Sequence, residues 1–149
     1  MFSLLKFASL ALVAAPVVLG SELYIQNNCG FTMYCGAAKN DGTSSSSVQV
    51  GNGGTYHSPL PANNDNIGSV LKCATNSGLQ QPFQMELAVQ NGRAWLDLSA
   101  LDGDPFVGYH RHAELAGQCV LDCPGGATAC EWPIQADCAS QEDAWLTIC

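Results

Sequence analysis

Residues 83–100, FQMELAVQNGRAWLDLSA, carry the strongest structural signal in the chain. Apolar side chains recur at every second position on both sides of a central Asn91-Gly92. A period of two is typical of a strand that buries one face. Asn-Gly is the strongest short signal for a two-residue type I′ turn. The stretch therefore predicts a β-hairpin whose apolar side chains point into a core.

The short turn also sets the register of the hairpin, and this register leaves Glu86 directly opposite Asp97. The alternation independently puts both acids on the polar face. Opposed residues have Cβ atoms about 4.5–5.5 Å apart, so the two charges repel unless solvent, a cation or a proton intervenes. Unfavourable electrostatic repulsion of this kind often marks a functional site. The alternative is a well-hydrated face that tolerates both carboxylates.

More functional side chains accompany this acid pair. Trp95 shares the polar face and offers a stacking platform for a sugar ring or a partner side chain. Asp102 and Asp104 follow directly after the second strand of the hairpin. Together with Glu86 and Asp97, we expect them to form a concave acidic patch.

The rest of the chain also has a β pattern. Short runs rich in β-branched and aromatic residues, bounded by turn residues, predict strands at residues 23–26, 31–34, 47–50, 69–73 and 144–149. Residues 111–116 are compatible with one helical turn, and no segment shows a sustained helical period. The sequence predicts an all-β domain at residues 21–149, either a disulfide-stapled antiparallel β-sandwich or a barrel.

Residues 1–20 are typical of a signal peptide. Lys6 lies in a short n-region, residues 7–18 are almost wholly apolar, and small residues follow at the expected cleavage site. The alternative, a membrane anchor, is less favoured because the apolar run is shorter than the about 20 residues that a span needs. We therefore expect a secreted, extracellular protein without a membrane span.

Eight cysteines follow the leader: Cys29, Cys35, Cys73, Cys119, Cys123, Cys130, Cys138 and Cys149. An even number in an oxidising compartment predicts four disulfides. The alternative is zinc at Cys119-x-x-x-Cys123, but no matching pair follows at finger spacing. A bridge from Cys29 to Cys149 would close a loop of about 120 residues and stabilise the fold by about 4–5 kcal/mol. The residues alone leave the pairing open, although we expect the four cysteines of 119–138 to bridge locally.

The composition excludes some functions. Five Lys and Arg against 13 Asp and Glu give a formal charge of -8, which is unsuited to nucleic acid because phosphate contacts need clustered cations. His110 and His112 have the spacing of a metal pair on a strand, but without an evident third ligand we interpret them as exposed loop histidines. No Gly-x-Ser-x-Gly elbow of a triad hydrolase occurs. We expect no metal and no cofactor.

Several segments resemble thaumatin-like proteins. Residues 23–34, with an Asn-x-Cys followed by an aromatic residue and Thr, resemble their opening strand pair, and residues 53–56 resemble their Gly-Glu-Ser-Trp turn. Residues 85–103 are similar to the segment built on a Glu strand and an Asp-Ile-Ser-Leu-Val-Asp-Gly signature. The ending at residues 103–106 resembles the small fungal members, the antigenic or yeast-phase-specific thaumatin-like proteins.

This resemblance implies the fold and one disulfide. The family fold is an antiparallel β-sandwich with disulfide-tied loops, which favours a sandwich over a barrel. In the family the first cysteine pairs with one near the C terminus, which implies a bridge between Cys29 and Cys149.

The resemblance also implies a binding site. Larger members have an acidic cleft lined by one Arg, one Glu and three Asp, which is tied to glucan binding and antifungal activity. Glu86, Asp97 and Asp102 match three of these acids. Lys72 falls near the segment in which the cleft Arg would lie.

Residues and resemblance together predict a monomeric, non-enzymatic binding protein. Its acidic face would contact cell-wall polysaccharide of the β-1,3-glucan type or a host surface protein. One alternative is a host-directed effector or antimicrobial protein, because the chain is small, secreted and rich in cysteine. A second is a weak glycoside hydrolase that uses Glu86 and Asp97. A third is calcium binding by these two acids with Asp102 and Asp104.

Overall fold

The computed structural model describes residues 20–131 and 134–149. The described residues form eleven strands: β1 (Leu23–Asn27), β2 (Met33–Lys39), β3 (Val48–Val50), β4 (Thr55–His57), β5 (Ser69–Ala74), β6 (Phe83–Gln90), β7 (Arg93–Ser99), β8 (Arg111–Leu115), β9 (Cys119–Cys123), β10 (Gln135–Cys138) and β11 (Ala144–Ile148). They include no helix that is long and apolar enough to cross a membrane. The predicted signal peptide, residues 1–20, lies outside them except for Gly20.

The strands form two sheets that share one apolar core. The five-stranded sheet has the order β4-β1-β11-β8-β9, and the six-stranded sheet has the order β10-β7-β6-β5-β2-β3. β1 runs parallel to β11, and the other strand pairs of the described chain are antiparallel. The all-β sandwich predicted from the sequence is confirmed. The core includes Leu23, Ile25 and Leu146 from one sheet and Met85, Leu87 and Leu96 from the other.

The central hairpin has the predicted register. β6 pairs antiparallel with β7, and Glu86 lies opposite Asp97. Asn91 and Gly92 have φ angles of 52° and 73°, and a type I′ turn requires a positive φ at both positions. The apolar series of both strands is buried in the core. The turn and the alternation therefore fix the same pairing.

Residues 111–116, which the sequence left compatible with one helical turn, are not helical, because Arg111–Leu115 forms β8. The inward positions of the strand are Arg111, Ala113 and Leu115, all of them buried. A charged residue at an inward position interrupts the apolar alternation by which a strand is recognised. The sequence pattern consequently concealed β8.

Other strand boundaries differ from the prediction in smaller ways. The strand predicted at residues 31–34 begins at Met33 and continues to Lys39. β4, β9 and β10 were not predicted, because they are three to five residues long and lie among turn residues and cysteines. Short strands depend more on pairing with neighbours than on their own pattern.

All eight cysteines are paired, as Cys29–Cys149, Cys35–Cys73, Cys119–Cys138 and Cys123–Cys130. The four expected disulfides, the bridge implied by the resemblance and the local bridging of residues 119–138 are confirmed. The zinc alternative is excluded, because no thiolate is free. Cys119–Cys138 joins β9 to β10 and therefore ties the two sheets together. Cys29–Cys149 fastens the chain just beyond the parallel pair of β1 and β11.

We expect the Cys29→Ser/Cys149→Ser variant to lose about 5 kcal/mol of unfolding free energy, because this bridge restricts a loop spanning 120 residues. The control Cys123→Ser/Cys130→Ser opens a loop spanning 7 residues and should lose only about 2.4 kcal/mol. Urea unfolding followed by tryptophan fluorescence measures both losses. A loss in the control as large as that in the first variant would contradict this account.

Candidate functional site

A groove lies on the outer face of the six-stranded sheet. Its larger cavity has a volume of about 360 Å³, and its walls include Lys72, Gln84, Glu86 and Trp95. A neighbouring cavity of about 230 Å³ shares Trp95 with it. These side chains point away from the core because successive residues of a strand face opposite sides of the sheet. We call the two cavities together the outer-face groove.

The opposed acids differ in their surroundings. Glu86 lines the groove and is half-buried, whereas Asp97 is only 8% exposed. The Oδ1 atom of Asp97 accepts no hydrogen bond from the described residues. Burial and, to a smaller extent, the negative charge of Glu86 raise the pKa of Asp97 to about 6, although a hydrogen bond from the backbone N–H of Leu98 acts in the opposite direction. The carboxyl of Asp97 therefore takes up a proton in mildly acidic solution.

Asp102 joins the same face through two polar contacts. Its Oδ2 atom accepts a hydrogen bond of 3.2 Å from the side-chain amide of Gln84. The Nζ atom of Lys72 lies 3.9 Å from the same oxygen. The ammonium group of Lys72 therefore lies beside the carboxylate of Asp102. Of the predicted binding residues, all but Asp104 lie at this face.

Asp104 does not join the acidic patch, and this part of the expectation is wrong. Its side chain is turned inward, where its Oδ2 atom lies 3.6 Å from the Nε atom of Arg111. Arg111 is fully buried and also forms an ion pair with Glu131. A buried guanidinium requires opposite charge nearby, and Asp104 supplies part of it. Without Asp104, the proposed four-carboxylate calcium site does not assemble.

The histidine pair also differs from the expectation. His112 lies on β8 and is not a loop residue, while His110 directly precedes that strand. Three side chains that could ligate a metal ion lie close together in the described part of the chain. They are His110, His112 and Asp122, and their ligand atoms are within 4.8 Å of one another. Asp122 was missed because it lies on β9, a strand that the sequence did not reveal.

Sequence reasoning missed the roles of two further residues. The alternation in β6 turns Gln84 to the same face as Glu86, but the sequence does not reveal its contact with Asp102, because Asp102 lies beyond the end of β7. Arg111 gave no signal of burial. The Nη1 atom of its guanidinium donates to the carbonyl oxygens of Phe106, Val107 and Tyr109, and these backbone acceptors are invisible in a sequence.

The two packed sheets, the four disulfides and the groove beside Glu86 agree with the thaumatin-like class that the sequence resembles. The comparison with protein families agrees with this class. The chain belongs to the Bys1 family, described as Blastomyces yeast-phase-specific protein, whose model matches residues 10–149.

Individual relatives support the same class. The chain is 26% identical over 134 residues to an antigenic thaumatin-like protein of Arthroderma benhamiae, with 87% of this chain and 68% of that protein covered. The solved structure of the protein elicitor MoHrip2 from Magnaporthe oryzae matches with a TM-score of 0.77 at 20% identity, covering 87% and 98% of the two chains. The thaumatin-like xylanase inhibitor TLXI matches with a TM-score of 0.62 at 13% identity, covering 85% and 98%. At these identities the two structures establish the fold.

The raised pKa of Asp97 makes stability depend on pH. The ordinary pKa is 3.8 and the folded value is about 6, so the native state binds more protons than the unfolded state between these values. Stability therefore falls as the pH rises through this window. We expect Asp97→Asn to raise the unfolding free energy by roughly 1–3 kcal/mol at about pH 8 and to change it little at about pH 3.5.

Urea unfolding at the two pH values measures this difference. Glu142→Gln is the matched control, because Glu142 is an exposed acid on another surface. The control should change little at either pH. A loss of stability in Asp97→Asn at the higher pH would show that the ionised carboxylate is stabilising, contrary to our expectation.

Proposed function

We propose that the protein is a secreted, non-enzymatic binding protein whose outer-face groove binds cell-wall polysaccharide of the β-1,3-glucan type. The observation that carries the proposal is that charged and amide side chains line the outer-face groove together with one aromatic ring, that of Trp95. Polysaccharides present apolar ring faces and many hydroxyl groups, which such a set of side chains complements. Four disulfides support secretion, because disulfides persist in oxidising compartments.

The position of Trp95 favours a polymer over a small molecule. Trp95 lines both cavities of the groove, so a sugar chain that stacks on its ring would extend into both of them. In the larger cavity, Glu86 accepts hydrogen bonds from sugar hydroxyls, and Lys72 donates them. A volume of about 360 Å³ is at the lower end of the range for small-molecule sites and suits a short segment of a chain.

Burial of Asp97 argues for binding over hydrolysis. A glycoside hydrolase needs two carboxyl groups that reach opposite sides of one glycosidic bond. The raised pKa of Asp97 would suit a general acid. Its side chain, however, is 8% exposed, whereas Glu86 is open to the groove. One accessible carboxylate can hold a sugar but cannot carry out the paired acid and base steps.

A host-directed role is the second candidate function. One similar structure is that of a protein called an elicitor. In this case the groove would contact a host surface protein, for which an aromatic ring with charged neighbours is also suited. Infiltration of leaf tissue with wild type and with Trp95→Ala separates the candidates, because a wall-binding protein without host activity causes no response.

We expect wild type to sediment with insoluble β-1,3-glucan and Trp95→Ala to bind about 3- to 10-fold more weakly, because the variant loses ring stacking. Glu86→Gln/Asp97→Asn should bind roughly 10-fold more weakly, because a hydrogen bond to a charged acceptor is lost. A depletion assay with increasing polysaccharide measures the affinities. The supernatant should contain no released reducing sugar.

Trp145→Ala is the matched control for Trp95→Ala. Trp145 is also partly exposed, but it lies on β11 of the other sheet and stacks on Tyr24. This control should bind like wild type. No retention of wild type removes the glucan proposal, and equal retention of all variants places binding on another surface. Reducing sugar that appears with wild type and disappears with Glu86→Gln would establish hydrolysis instead.

A further inference from the structure

Three potential metal ligands meet on the outer face of the five-stranded sheet. In the pairing of β8 with β9, His112 lies directly opposite Asp122. The Oδ1 atom of Asp122 is 3.0 Å from Nδ1 of His112 and 2.7 Å from Nε2 of His110. One ligand atom from each of the three side chains lies within 4.8 Å of the others.

We propose that His110, His112 and Asp122 bind a divalent transition metal of the zinc and copper type. Imidazole nitrogens with one carboxylate oxygen are a donor set that suits Zn²⁺ and Cu²⁺. Ca²⁺ and Mg²⁺ prefer sites built from oxygens, and two of these three donors are nitrogens. Three protein ligands leave at least one coordination position for water or for a group on another molecule.

The backbone presents both histidines on the same side. Arg111, between them, is fully buried, so alternation along the strand turns His110 and His112 outward together. The Arg111 guanidinium donates to the carbonyl oxygen of Tyr109. The backbone N–H of Cys149 donates to the carbonyl oxygen of His110. These bonds hold the segment that carries both imidazoles.

The strand that carries Asp122 is equally restrained. Disulfides begin at both ends of β9, from Cys119 to Cys138 and from Cys123 to Cys130. A site on restrained strands loses little conformational entropy when it binds an ion, which favours affinity.

The contacts within the cluster are compatible with exchange of hydrogen for a metal ion. The carboxylate already faces one nitrogen of each imidazole at hydrogen-bond distance. Each imidazole would bind the ion, at about 2.0–2.2 Å, through the nitrogen that faces Asp122, in the neutral tautomer that carries its hydrogen on the other ring nitrogen. The side chains of His110, His112 and Asp122 are 51%, 32% and 53% exposed, so an ion can enter from solvent.

This site is independent of the proposed glucan-binding function, because the groove lies on the other sheet. The chain also contains an internal control. His57 is the remaining histidine, and it pairs with a single carboxylate, that of Glu22, at 2.8 Å without a second imidazole. If metal bound to any exposed histidine, it would also bind His57. If it binds only at the three-residue site, His57 is not involved.

Isothermal titration calorimetry of the folded, disulfide-bonded chain with ZnCl₂ and with CuCl₂ tests the proposal. We expect one ion per chain. His110→Gln, His112→Gln and Asp122→Asn should each weaken binding by roughly 10- to 100-fold, since loss of a ligand costs at least as much as loss of its outer-shell partner. His57→Gln should bind like wild type, and the melting temperature of wild type should rise with added metal.

Three results would overturn the proposal. Neither ion produces binding heat with wild type, the three ligand variants bind as tightly as wild type, or His57→Gln weakens binding as much as they do. The four side chains are exposed or half-buried, so we expect all variants to fold. Circular dichroism before each titration checks this expectation.

Discussion

The pairing of β6 with β7 holds two carboxyl groups opposite each other, and the character of the groove follows from this constraint. The register cannot slip by one residue, because a slip would turn Leu87 and Leu96 out of the core and turn the acids inward. Packing of the sandwich therefore opposes the repulsion between Glu86 and Asp97. Burial disfavours the ionised form of Asp97 as well, and burial and the charge of Glu86 together raise its pKa to about 6. The fold thus maintains a carboxyl pair that changes its charge in mildly acidic surroundings.

The sandwich architecture separates stability from binding. Its inner faces share one core, and the disulfides tie the sheets and the chain ends, so the outer faces are free to carry polar groups. The six-stranded sheet presents the groove around Trp95, and the five-stranded sheet presents His112 opposite Asp122. A small domain stapled in this way can hold side chains in place on short strands without helices.

The β6–β7 hairpin could be predicted from signals between neighbouring residues. The positions of Asp104 and Asp122 depend on contacts between distant residues and could not. The turn and the alternation in residues 83–100 both act between neighbours in sequence, so they gave the register, the face and the acid pair. The direction of Asp104 depends on Arg111, which is buried at an inward position and balanced by the distant Glu131. Asp122 meets the histidines only through a strand pair that the pattern did not show. The Cys29–Cys149 disulfide was implied by the family resemblance, whereas the spacing of the cysteines left the pairing open.

Packing of the sandwich forces the buried carboxyl of Asp97 to lie beside the negative charge of Glu86, which raises its pKa. Carbon-13 NMR of side-chain carboxyl groups during a pH titration measures this directly, in wild type and in Glu86→Gln. The account predicts that Asp97 titrates near pH 6, against its ordinary 3.8, and that its pKa falls when the charge of Glu86 is removed. An Asp97 that titrates near 3.8 in both proteins would contradict it.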